Sequence, residues 1–180
     1  MKNFLECVDA LEPAARAKVR AALAPDDVRM VHDASPLAWL PVELNLRATE
    51  ATWRALGPGA REAFFAALGD QDFDSTLLKS TVTTAIRLCG VDPSRLMRWV
   101  PRGWSQVFRD DARIAVVDVS ANELRIVFDD LPAALARSRA WTESCAASMT
   151  AFYRATRRQG TVSVEAEPDA RRMVLVFRWT

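Results

Sequence analysis

A chain of 180 residues, half of them hydrophobic, is long enough for one domain with a sizeable core and short for two. Its 24 Lys and Arg against 23 Asp and Glu leave a formal charge of +1, so no overall field draws it to nucleic acid or to an anionic membrane. No apolar run approaches the ~20 residues of a spanning helix, and Met1-Lys2-Asn3-Phe4-Leu5-Glu6 leads into charged, helix-forming sequence instead of a secretory leader, so a cytoplasmic chain is expected.

The first two thirds reads as helix. Phe4, Leu5, Val8 and Leu11 form a short amphipathic turn cut off by Pro13, too short to be stable alone, which must pack on its own domain or on a second copy; a homodimer is the expectation. The Ala-rich run from Ala14 to Leu23 carries strong helix formers, and Pro25-Asp26-Asp27 interrupts it, leaving His32 in a loop. A helix from Val42 to Leu56 follows, closed by Gly57-Pro58-Gly59, then a short one from Ala60 to Leu68. Asp74 or Ser75 caps the next, which ends at Cys89-Gly90, and Pro93-Ser94 opens one bearing Leu96, Met97 and Val100. Trp99 and Trp104 then bracket Pro101-Arg102-Gly103, read as a short loop where an aromatic can face a ligand or a partner.

From Arg113 onward the period changes to two. Ile114 and Val116, then Leu124, Ile126 and Phe128, alternate with polar neighbours about a turn at Ser120-Ala121-Asn122-Glu123. After Pro132 the helical period returns: Trp141, Cys145, Met149 and Phe152 share a stripe on one helix expected from about Ala133 to Arg158 and stopped by Gly160. Val162 and Val164 begin a second hairpin that turns at Glu167-Pro168-Asp169-Ala170 and returns through Met173 to Trp179. That last strand is apolar on both faces, which places it centrally in the sheet with helices over part of its second face.

Few residues point to chemistry. Asp70-Gln71-Asp72-Phe73-Asp74 spaces carboxylates as a calcium loop does, but Ser75 and Thr81 stand where that loop needs glycine and glutamate, and acids before a helix act as caps. His32 lacks a neighbouring nucleophile, and Cys7, Cys89 and Cys145 lack metal-ligand spacing. No catalytic or metal-binding residue is assigned, and the chain is not expected to be an enzyme. Arg154, Arg157 and Arg158 at the end of the long helix, with Arg171 and Arg172 before the last strand, are candidates for an anion or acidic-partner patch.

Helices, then Pro93-Ser94-Arg95-Leu96-Met97-Arg98-Trp99-Val100-Pro101, then hairpin, helix and hairpin ending in Val176-Phe177-Arg178-Trp179, is a layout that resembles haem-NO-binding domains over roughly residues 36 to 179. The chain looks still closer to a paralogous family without an established activity, largely restricted to myxobacteria, that shares this layout and the Trp39-Leu40-Pro41-Val42-Glu43 segment. Both are similar in turn to vinyl-4-reductase small-molecule-binding domains and to Bet3-like subunits of vesicle-tethering complexes. The resemblance implies an α+β fold, residues 1–180 as one domain, with a helical half (1–112) packed on a four-stranded antiparallel sheet (113–180). It also implies a cavity between the halves that holds haem, an apolar ligand or an acyl chain.

Two functions follow from that resemblance. One is a non-enzymatic sensor or small-molecule-binding module of a signalling system, with Trp99, Trp104, Trp141, Cys145 and Met149 at its pocket or partner surface. The other is a protein-interaction adaptor working as a homodimer with a filled core. Haem itself is not expected, and no cofactor is assigned. The resembled domains hold the porphyrin propionates with a Tyr-x-Ser-x-Arg motif, where this chain has Phe128-Asp129-Asp130-Leu131-Pro132. They also place an axial histidine before the Pro-rich turn, and Thr81 to Val100 has none, although Cys89 is in that neighbourhood.

Overall fold

The computed structural model describes residues 1–35, 38–90, 92–108 and 112–180; the side chains of Thr76, Leu77 and Cys89 lie outside that description. Four strands, β1 (Arg113–Ser120), β2 (Glu123–Asp129), β3 (Gly160–Glu167) and β4 (Arg172–Trp179), form an antiparallel sheet in the order β1-β2-β4-β3. The register sets Leu124 opposite Phe177, Ile126 opposite Leu175 and Phe128 opposite Met173, and all six are fully buried on the face turned to the helices. β4 is central, as its two apolar faces require. Among the described residues no helix covers its second face, however: Val127, Val174 and Val176 form a small buried cluster of strand residues alone. On that face Arg125 stands opposite Val176 and reaches Glu165 at 3.5 Å, and Arg172 reaches Asp129 at 3.3 Å. Long arginine stems beside valines shield the face without a second layer of helices.

The connection between the hairpins is three helices, not one: α9 (Ala133–Arg137), α10 (Arg139–Met149) and α11 (Ala151–Thr156). Ser138 leaves helical geometry at φ −85° and ψ 102°, accepts a hydrogen bond from the Trp141 amide and donates to Glu50 at 2.8 Å. It is a cap that turns the chain between α9 and α10. The chain leaves α11 through Arg157 in the left-handed region (φ 54°), so Gly160 is not the stop signal. Gly160 is needed for space: a Cβ there would lie 2.3 Å from the Arg178 carbonyl and 2.6 Å from the Tyr153 ring.

The helical half comprises α1 (Lys2–Asp9), α2 (Pro13–Ala22), α3 (Pro25–Asp33), α4 (Val42–Ala55), α5 (Pro58–Asp74), α6 (Thr76–Cys89), α7 (Pro93–Met97) and α8 (Val100–Val107). Three sequence expectations change here. Pro25 opens a helix instead of interrupting one, as proline at the first helical position can, so His32 is helical. Pro101-Arg102-Gly103 lies in the first turn of α8, for the same reason. The acidic run Asp70 to Asp74 is the end of α5 and not a cap ahead of the next helix; Ser75 caps α6 by accepting from the Leu78 amide.

α1 packs on α5 with Phe4 edge-on to Phe64 at 5.4 Å, which buries Phe4 and Val8 within the same chain. The apolar face that suggested a second copy is thereby covered. Arg98, between α7 and α8, pairs with Asp118 of β1 and ties the helical half to the sheet edge. α5 meets α10 at Gly69, where a Cβ would fall 2.0 Å from the Ser148 carbonyl oxygen. Gly69→Ala should therefore cost on the order of 1–3 kcal/mol by forcing the two helices apart, whereas Gly59→Ala, with nothing within 4 Å, should change stability by less than about 0.5 kcal/mol. Paired urea melts of the two variants check this, and equal midpoints would contradict it.

Candidate functional site

Between the helical half and α10 lies a cavity of about 470 Å³, within the roughly 300–1,000 Å³ typical of small-molecule sites. The helical period builds its walls. On α5, Phe65, Leu68, Gly69 and Asp72 recur every three or four residues; on α10 and α11, Trp141, Cys145, Met149 and Phe152 do the same. α4 contributes Asn45 and Thr49, α6 contributes Leu78, Thr81, Val82 and Ala85, and α8 contributes Val100, Trp104 and Val107. The segment Ala38-Trp39-Leu40-Pro41 borders the space, with Trp39 48% exposed to solvent.

All five residues proposed from the sequence as a pocket or partner surface, Trp99, Trp104, Trp141, Cys145 and Met149, line this cavity. Trp141 is fixed by its indole N–H, which donates to Asn45 Oδ1 at 3.0 Å, and by edge-on packing against Trp104 and Phe108. Trp104 stacks on Phe108 at 4.4 Å, and its enclosed indole nitrogen has no acceptor among the described residues. Cys145 shows surface only because it faces the cavity; burial pushes its thiol pKa up, so it stays protonated and unreactive. The wall's hydroxyls are mostly engaged, Ser144 donating to the Trp141 carbonyl and Ser148 to the Phe65 carbonyl.

Sequence reasoning missed the α4 and α5 side. Asp72 is the one charged side chain among the described lining residues, and burial raises its pKa against the opposing hydrogen bond from Asn3 Nδ2 to Oδ1 at 2.8 Å and the attraction of the N-terminal ammonium of Met1, which borders the same cavity. The signal was present in the 65, 68, 69, 72 spacing, but the acidic run read as a cap.

The five arginines do not form one patch. Arg154 is spent on Asp70 at 2.5 Å and on the Ala66 carbonyl at 3.0 Å. Arg171 donates to the carbonyls of Leu131 and Asp130, and Arg172 pairs with Asp129 and Glu167. Exposed Arg157 and Arg158 lie at the other end of the β3–β4 hairpin from this second pair, roughly 25 Å away by strand length. Nor do the described residues hold any group of three His, Cys, Asp or Glu fit to bind a metal ion.

No protein-family profile and no curated protein sequence matches the chain. Solved structures do. An unliganded Fe(II) H-NOX protein from K. algicida superposes with a TM-score of 0.64 at 10% identity, over 99% of this chain and 95% of that one. An oxygen-binding H-NOX domain related to soluble guanylate cyclases gives 0.58 at 10% identity, over 99% and 92%. At such identities the likeness shows the fold, the α+β arrangement of helices on a four-stranded antiparallel sheet. Among the described residues no helix is long and apolar enough to cross a membrane.

Among the described residues, the cavity lining does not supply the usual axial ligands of a haem. The described lining holds no histidine, tyrosine, lysine or arginine, and a Cys145 ligand would have to be a thiolate, which burial opposes. The Cys89 side chain lies outside the described residues. His32 sits on α3 in a separate recess with Leu5, Val8 and Leu23. Asp129 and Asp130, the pair that the sequence resemblance sets against the propionate-binding motif, are paired with Arg172 and Arg113.

Asp72 also sets a pH dependence. With its folded pKa raised, the folded chain keeps a proton that the unfolded chain has lost, so this group's contribution to stability falls as pH rises from the ordinary to the raised value. Asp72→Asn should raise the melting temperature at neutral pH and flatten that part of the pH profile, as differential scanning calorimetry at several pH values would read; an unchanged profile would show that burial does not raise the Asp72 pKa.

Proposed function

We propose that the chain is a non-enzymatic small-molecule-binding module of the sensor kind, working without haem. The observation that carries this reading is the cavity: about 470 Å³, walled by aromatic and aliphatic side chains, with no lysine, arginine or histidine side chain among its described lining residues. A sensor needs a space that a ligand can fill and elements able to register its presence, and here helices from both halves supply the wall. The oxygen-binding neighbour supports the same reading at the level of the fold alone.

The second reading, a homodimeric adaptor with a filled core, is less favoured because the core is not filled, and because α1 is satisfied on its own chain. Two measurements on purified protein separate them. Native mass spectrometry should find a co-purifying small mass or a monomer that takes up apolar probes; a bare dimer refusing every probe would support the adaptor. Expression with added haem precursor should give no stoichiometric Soret band, and a band abolished by Cys145→Ala or Cys89→Ala would overturn the haem-free reading.

A further inference from the structure

Two polar groups of the cavity wall are left incompletely matched: the indole nitrogen of Trp104, which is enclosed and out of a ligand's reach, and the carboxyl of Asp72. Thr81 exchanges hydrogen bonds with Gln106, Asn45 holds the Trp141 indole, and Ser144 and Ser148 donate to backbone carbonyls. Asp72 differs. Asn3 donates to Oδ1, while Oδ2 has no hydrogen bond and the carboxyl no ion pair among the described residues. Its neighbours along α5 on the cavity side are Phe65, Leu68 and Phe73. The N-terminal ammonium of Met1, which also borders the cavity, acts on the carboxyl from beyond ion-pair distance, and burial still outweighs that attraction. A carboxylate in an apolar wall without a paired cation is costly to maintain, and the cost falls when a cation binds directly to Oδ2.

Resting on the ligand-binding reading above, we propose that Asp72 is the specificity-determining residue of this cavity. Its ligand is an apolar molecule whose single polar end is an ammonium, bound to Oδ2, and carboxylates are excluded. The apolar body lies along the aromatic wall made by Trp104, Trp141 and Phe152, and the charged end lies at the close of α5. A hydroxyl could satisfy the same oxygen, but an ammonium adds charge neutralisation to the hydrogen bond and makes the stronger, charge-assisted contact. A fatty acid would bring a second carboxylate against the first.

The test titrates the whole chain at neutral pH with decylamine, decanol and decanoate, below the concentrations at which they form micelles, reading tryptophan fluorescence from the wall. The amine should bind tightest, ahead of decanoate by roughly tenfold or more. Asp72→Asn should bring amine and carboxylate to within about threefold, while Asp74→Asn, on the exposed end of the same helix, should keep the original ranking. Decanol or decanoate binding the unaltered chain as tightly as the amine, or Asp72→Asn keeping the ranking, overturns the proposal and leaves the ligand-binding reading standing. No binding by any of the three overturns both. Should Asp72→Asn fail to fold, Asp72→Ser replaces it, and the ranking on the unaltered chain is by itself decisive.

Discussion

The spacing between α5 and α10 is set by a contact without a side chain. Gly69 lets the α5 backbone come down on the carbonyl of Ser148, and the Ser148 hydroxyl returns a hydrogen bond to the Phe65 carbonyl one turn earlier. The cavity opens beside this contact: Phe65, Gly69 and Ser148 line it together with Phe73, Met149 and residues of α6 and α8. Interiors packed to crystal-like density do not leave such space without a reason in the backbone.

Within that frame the sheet and the helices show different degrees of local determination. Both hairpins were legible because a two-residue period with polar alternation has few competing explanations, and because β4 is apolar on both faces. The cover of its second face was not, since arginine stems shield apolar surface as well as a helix does while reading as solvent-exposed charge. The break at Ser138 was hidden for a similar reason: serine inside a helical stripe is common, and only its tertiary bond to Glu50 shows it to be a cap. The helix expected from Ala60 to Leu68 runs on to Asp74 through Gly69, whose task is close packing, and the reading of the acidic run as a cap left Asp72 out of the candidate site. Trp141, Cys145 and Met149 were found because their spacing is regular and their side chains apolar; Asp72 has the same regularity, but its type pointed to a helix end.

The likeness to H-NOX domains extends over nearly the whole chain at about one identical residue in ten. At the close of the first hairpin this chain pairs Asp129 with Arg172 and Asp130 with Arg113, and on the cavity wall burial raises the pKa of Asp72. A fold fixes where a ligand can sit; the residues on the wall decide which ligand.

Tyr153 gives that wall an anvil. Its hydroxyl lies within hydrogen-bond reach of the carbonyls of Thr161 at 2.8 Å and Arg178 at 3.0 Å, and its ring is pressed against the backbone of Gly160. Phe152, the next residue, lines the cavity, so the α11 side is braced by the sheet and cannot recede. Across the space, α6 has one fully buried side chain among its described residues, Ala85, and holds to α8 through Thr81 and Gln106. Of the two walls that face each other across the cavity, α6 is therefore the more lightly anchored.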